Sequence, residues 1–189
     1  MAGVINGEAV ALLPQHTALI AASAITPEIA TACGYLSATT AQELAALGFT
    51  RSQQRVPALV VPIHGVAGGV VLHQSHPDHS RLNSRDKMVR YETPYNCPMV
   101  LDVPPTVLPT LGDPTVPLFI TEGARRADAA VSQGLGCIAL LGVWNWRGSN
   151  GHGGKTAQAA IIKPDYLGLA RQLAGPFKIL ATLIRLQRR

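Results

Sequence analysis

From Pro14 to Gly48 the apolar residues recur at helical rather than alternating intervals. Thr26 stands ahead of Pro27 and Glu28, the order of an N-cap, a first-turn proline and an acid at the positive helix end. Gly34 can stop that helix; Thr40 can cap the next, Ala41 to Leu47, which Gly48 ends. The period then changes. Ala58–Ile63 and Gly69–Gln74 are apolar, β-branched runs joined by His64–Gly68, which predicts a β-hairpin. A polar stretch, Ser75 to Lys87, precedes two short strand candidates, Val89–Glu92 and Met99–Val103, and Pro104, Pro105 and Pro109 mark a linker.

The sharpest pattern lies at 117–142. Pro117–Thr121 is a short apolar strand, Gly123 turns the chain, Ala124–Gln133 has helical spacing, Gly134 ends it, and Cys137–Leu141 is a second apolar strand. A β-α-β unit of this kind makes its two strands parallel. Ligand sites in such sheets lie beyond the carboxyl ends of the strands. That edge holds Glu122 after the first strand and Gly142-Val-Trp-Asn-Trp146 after the second. The fold class read from the pattern is α/β: short N-terminal helices, a small β-rich subdomain, then a partial parallel β-α-β sheet.

Composition supports a buried core, with 47% hydrophobic and only 14% charged residues among 189. No apolar run reaches the roughly 20 residues of a membrane helix, and the start lacks the basic region of a secretory signal, so the expected compartment is the cytoplasm. Cys33, Cys97 and Cys137 form no CxxC pair and suggest reduced, buried thiols. The net charge of +5 tempts a nucleic-acid reading from composition alone. Its distribution weakens that reading. Residues 1–156 hold ten basic and ten acidic side chains, whereas 157–189 hold six basic ones and only Asp165. Any nucleic-acid contact in the main body must therefore rest on local sites.

The string LFITEGARRADAAVSQGLGCIALLGVWNW, from Leu118 to Trp146, resembles the strand–Glu-Gly–helix–strand opening of Toprim domains. It is more closely similar to the Toprim-like domain of phage and plasmid primase-type replication proteins. Upstream, RVPALVVPIHGVAGGVVLHQ, HPD, RYETP and LDVPP resemble the segment that precedes Toprim in those proteins and, more distantly, in DnaG-type primases. The resemblance spans roughly residues 12–157. It divides the chain into a flexible lead (1–13), an N-terminal helical and β-rich primase-like subdomain (14–105), a partial Toprim-like subdomain (106–156) and a basic amphipathic tail (157–189).

The resemblance implies that Glu122 is the catalytic carboxylate, passing a proton at a scissile phosphate, and a ligand of Mg²⁺. It implies that Gly123 lets the backbone approach a phosphate and that Arg126 neutralises it. The family has Lys at the position of Arg126, a basic departure with different geometry. On residue type alone, a Glu at a strand-to-helix turn equally caps helix amides. The larger departure is the Asp-x-Asp metal motif of a complete Toprim domain, which occurs nowhere in this sequence. The expectation is a truncated or frame-altered, primase-like relative from a mobile-element DNA replication system, with little catalysis alone. The alternative is a non-catalytic module that binds single-stranded nucleic acid or a protein partner. The implied partners are single-stranded DNA and nucleotides, and a helicase or other replication protein, without a membrane span.

Other features carry two readings each. Arg85, Lys87 and Arg90, with Arg81 and Tyr91 nearby, suit a nucleic-acid backbone contact with one stacking ring, or a solvated loop. Trp144 and Trp146 suit base stacking or loop packing. His73, His76 and His79 have zinc-like composition, but residues three apart on an extended segment face opposite ways. Gly151–Thr156 resembles a phosphate loop yet has Ser149 where that motif needs glycine. In the tail, Lys178, Thr182, Arg185 and Arg189 make one polar stripe of an amphipathic helix following Pro176.

Overall fold

Local signals start most of the helices. In the computed structural model, which describes residues 3–5, 8–10, 12–98, 100–113, 115–141, 148–149, 155–156 and 179–180, the chain forms two units. One is residues 1–64 with 69–98; the other is residues 65–68 with 99–189. The architecture is mixed α/β.

The first unit opens with a strand pair, β1 (Gly3–Ile5) and β2 (Glu8–Val10), and helix α1 (Pro14–Ala22). Helix α2 (Pro27–Ala32) begins where Thr26 accepts the Ile29 amide at 3.4 Å. Strand β3 (Leu36–Ala38) follows, then α3 (Ala41–Ala46), which starts in a full capping box. There Thr40 Oγ1 accepts the Glu43 amide, and Glu43 Oε2 accepts the Thr40 amide at 3.0 Å. Gly48 leaves α3 at φ +86°, a left-handed turn that favours glycine. Strands β4 (Ala58–His64) and β5 (Val70–Pro77) make the predicted hairpin, and β3 completes an antiparallel sheet of order β3-β4-β5. Leu36, Ala38, Leu44, Phe49, Ala58 and Val60 form one core cluster. A two-residue hairpin, β6 (Arg81–Leu82) with β7 (Met88–Val89), projects beyond β5.

Two departures from the sequence pattern have physical causes. Strand β3 is three residues long, too short to display an alternation, and all three are buried by pairing with β4. Strand β5 runs on through His73–Pro77, paired with β4 along that length, and two of its residues are also tied on the outer side. The Gln74 side chain donates to Thr93 Oγ1 at 3.3 Å, and Ser75 exchanges both backbone bonds with Glu92.

The second unit contains the β-α-β element. Strand β8 (Leu101–Asp102) precedes β9 (Leu118–Glu122), α4 (Ala124–Ser132) and β10 (Gly136–Leu140). Strands β9 and β10 are parallel, pairing Leu118 with Gly136 through to Glu122 with Leu140, and β8 lies antiparallel on the other side of β10. Val66, Leu101, Val103, Val107, Leu111 and Ile138 form the core on which Leu118, Ile120 and Leu140 pack. Ala127, Cys137 and Ala139 make a second cluster under α4. Short strands β11 (Gly148–Ser149) and β12 (Lys155–Thr156) pair antiparallel. Strand β13 (Ile179–Leu180) lies parallel to β9, at Leu118 and Phe119. The helical stripe expected through Lys178–Arg189 is thus interrupted at Ile179–Leu180, which take up the edge of β9 that an unpaired strand would expose. The other residues of that stripe lie outside the described residues. Among the described residues no helix is long and apolar enough to cross a membrane.

Candidate functional site

Glu122 is the last residue of β9, and its side chain is 36% exposed. Gly123 follows at φ +85° and ψ 132°, a backbone conformation that L side chains rarely adopt. Its amide donates to the Leu140 carbonyl at 2.7 Å, which ties the turn to the end of β10. Its carbonyl accepts the Arg126 amide at 3.0 Å and so opens α4. Among the described residues no atom beyond its chain neighbours lies within 4 Å of where a Cβ on Gly123 would stand. Glycine therefore serves the backbone turn here and leaves open space above it.

Arg126 stands one helical turn further on, with its Nη1 3.9 Å from Glu122 Oε2. Its side chain is 59% exposed. An ion pair that long and that solvated contributes about 0–1 kcal/mol, so it holds Arg126 only loosely. No side chain caps α4. The Arg126 and Ala127 amides bond the Gly123 carbonyl, and the helix start carries the partial positive charge of its dipole. One strand end thus brings together a carboxylate, an open glycine turn and an arginine.

The chemistry of the donor set tests the implied magnesium. Mg²⁺ is held by carboxylate oxygens together with water and substrate oxygens. Among the described residues no group of three His, Cys, Asp or Glu side chains could hold a metal ion. Glu122 faces an arginine rather than a second carboxylate. These residues do not by themselves fit a magnesium site.

The basic stretch is a built hairpin rather than a loose loop. Asn83 Oδ1 accepts the Arg85 amide at 2.9 Å and the Lys87 amide at 3.0 Å, and the Asn83 amide donates to the Lys87 carbonyl. Arg85, Lys87 and Arg90 are exposed. Arg81 differs from them. Its guanidinium bonds both oxygens of the buried Glu92, at 2.5 and 3.1 Å, and this bonding raises its pKa further. Tyr91 does not stand alone as a stacking ring: it lies against His76, with ring centroids 5.0 Å apart. His73 sits instead beside His64, and burial lowers the pKa of both, with His64 adding to the effect on His73. Trp144 and Trp146 lie outside the described residues, as do 151–154; Lys155 and Thr156 are strand residues.

Sequence reasoning missed one polar network. His16 is buried, with Nδ1 2.6 Å from Ser37 Oγ and Nε2 2.9 Å from Asp78 Oδ1. The Leu13 amide donates to Ser37 Oγ, so the hydroxyl hydrogen is free for Nδ1 and the ring hydrogen for Asp78. The order Ser–His–Asp mimics a nucleophilic triad, but Ser37 is fully buried and reaches no substrate. Its members lie 21 and 62 residues from His16, so no local spacing announces it. The network pins α1 to β3 and to the exit of β5.

The comparisons bear on the fold. Residues 110–173 match the family model described as a domain of unknown function, DUF3854. No curated protein matches the chain. Among solved structures, the chain is similar to the Aquifex aeolicus primase (zinc-binding and RNA polymerase domains), with a TM-score of 0.52 and 16% identity. That match covers 69% of this chain and 37% of that one. It is also similar to the RNA polymerase domain of Mycobacterium tuberculosis primase DnaG, in complex with a double-stranded DNA oligomer with a 6-nucleotide overhang. There the TM-score is 0.50 at 17% identity, over 85% of this chain and 52% of that one. The chain has a primase-like fold and spans between about a third and a half of the solved chains it matches.

Proposed function

We propose that this protein is a Toprim-related, primase-like component of a mobile-element DNA replication system. Its 189 residues bind nucleic acid and carry little primer synthesis alone. One observation carries the reading: Glu122, the open Gly123 turn and Arg126 converge at the carboxyl end of parallel strand β9. Arg126 offers a forked donor to a phosphate, and Gly123 leaves its approach clear. Glu122 is the group placed to exchange a proton at an adjacent oxygen. The exposed Arg85, Lys87 and Arg90 add a second, sequence-independent contact. The fold supports the reading, since one solved relative is a primase domain in complex with DNA. What supports low activity is the missing Asp-x-Asp, since Glu122 has an arginine and no second carboxylate beside it among the described residues to help hold the magnesium that stabilises a transferring phosphoryl group.

The test is template-directed primer synthesis by the purified chain with Mg²⁺, nucleoside triphosphates and single-stranded DNA, run beside a DNA-binding titration. The outcome expected is saturable, salt-dependent binding without primers. Robust primer synthesis, lost in Glu122→Gln, would overturn the low-activity reading. Absence of any binding at low salt would overturn the nucleic-acid reading itself.

A further inference from the structure

Strand β5 lies at the edge of the sheet β3-β4-β5. Its outer edge is taken at one point, where Ser75 gives its amide to Glu92 and receives the Glu92 amide, at 2.9 and 2.8 Å. Backbone groups alternate sides along a strand, so those of His73 point to the same outer edge as those of Ser75. Continuing the antiparallel register from Ser75–Glu92 sets Pro94 opposite His73. Proline has no amide to give, so the ladder stops there. Asn96, at φ +62°, then turns the chain away. Among the described residues no backbone partner bonds the outward His73 groups.

The result is a groove of about 450 Å³ beside β5. Its lining includes Val71, Leu72 and His73 of β5 together with Leu47, Pro94 and Tyr95. Val71 is 51% exposed and Tyr95 60%. No Lys, Arg, Asp or Glu lines the groove. Burial favours the neutral form of His73. The groove therefore combines unpaired edge backbone with an apolar, uncharged lining.

We propose that this groove takes an extended, apolar, uncharged peptide segment of a partner protein, which adds to β5 as a further strand. Backbone pairing at His73 supplies the attachment, and the apolar lining selects uncharged side chains. A nucleic-acid strand is disfavoured because no cation lines the groove to meet a phosphate. A second copy of β5 would bring its own Pro94 and Tyr95 beside the edge it must pair, which a separate extended segment does not.

The experiment uses the full chain and a fluorescein-labelled, acetylated Thr-Val-Ile-Val-Thr amide as the probe, with binding followed by anisotropy. Saturable binding is expected, weakened at least about tenfold when the internal amides of the probe are N-methylated. Val71→Asp is expected to weaken it comparably, with the thermal midpoint unchanged because Val71 is exposed. Three results would overturn the proposal: no binding, binding indifferent to N-methylation, or displacement of the peptide by oligothymidylate. Self-association that Val71→Asp abolishes would also overturn it, in favour of a second copy. None of these outcomes touches the Glu122–Arg126 reading, which is read out by DNA binding.

Discussion

Strands β4 and β9 are similar in apolar character but differ in their surroundings. Every residue of β4 from Ala58 to His64 is buried, whereas every residue of β9 from Leu118 to Glu122 is only half-buried. The polar residues divide in the same way. Around the first sheet several are inside and bonded, His16 with Ser37 and Asp78, and Glu92 with Arg81 and Gln53, whereas Ser75 Oγ and His76 Nδ1 on β5 are buried without a hydrogen bond among the described residues. At the end of β9 they are at the surface and loosely held, as the 3.9 Å separation of Glu122 and Arg126 shows. Buried polar groups with full partners specify one packing. Exposed ones with weak mutual bonds remain available to a ligand. The first sheet is thus the more deeply buried of the two, and the end of β9 is the more accessible to a ligand.

The contrast is broken most directly by truncating one leucine in each sheet. Leu59→Ala, in β4, is expected to cost about 4 kcal/mol, and Leu118→Ala, in β9, about half of that, measured by urea unfolding of the full chain. Equal costs would contradict the burial difference. Next in size is Glu92→Ala. It strips the Arg81 guanidinium of its two bonds to Glu92 and Gln53 of one, for a loss of about 3 kcal/mol. A loss under about 1 kcal/mol in the same unfolding assay would show that Arg81 and Gln53 find water instead.

Cys137 sharpens the comparison through pH. Burial first, and then the nearby Asp128 charge, push its thiol up to about 11 from 9.0. Its folded pKa exceeds its unfolded one, so its contribution to stability is complete below pH 9. That contribution is lost as pH rises from 9 to 11, where the unfolded thiol ionises first. Two such units correspond to roughly 2 kcal/mol at the upper end. The stability–pH curve of Cys137→Ala is expected to fall less steeply over that window, and parallel curves would contradict the assignment. Comparable in size is the effect of Gly123→Ala, about 2 kcal/mol. It arises from the backbone at φ +85° alone, because among the described residues the added methyl meets no atom beyond its chain neighbours within 4 Å. A larger loss would mean that the turn is more tightly packed than the open space above it indicates.

Local signals made much of this fold legible. Thr26-Pro27-Glu28 and Thr40 with Glu43 start helices where capping chemistry places them. The switch to β-branched runs at Ala58 and Gly69 announces the hairpin, and Pro117–Leu141 announces the parallel β-α-β unit. Glu122 and Arg126 were legible as neighbours because the Gly123 turn starts α4 at the end of β9, so a residue in the first turn of α4 can face the same edge. Long-range polar pairing was not. The bonds that hold Glu92 reach back 39 residues to Gln53, and those of Asp78 reach 62 residues to His16. Such partners share no period and no motif, and only the folded chain brings them together. The same pairing explains why Arg81 looked like a member of the basic stretch but is spent on Glu92, whereas Arg85, Lys87 and Arg90 remain exposed.

The central claim is that the end of β9 meets a nucleic-acid phosphate through Arg126. Its most direct test is the salt dependence of single-stranded DNA binding by the intact chain and by Arg126→Ala. Loss of one phosphate contact predicts weaker binding and a slope of log K against log salt that is shallower by about 0.7. The same affinity and the same slope in the two proteins would contradict it.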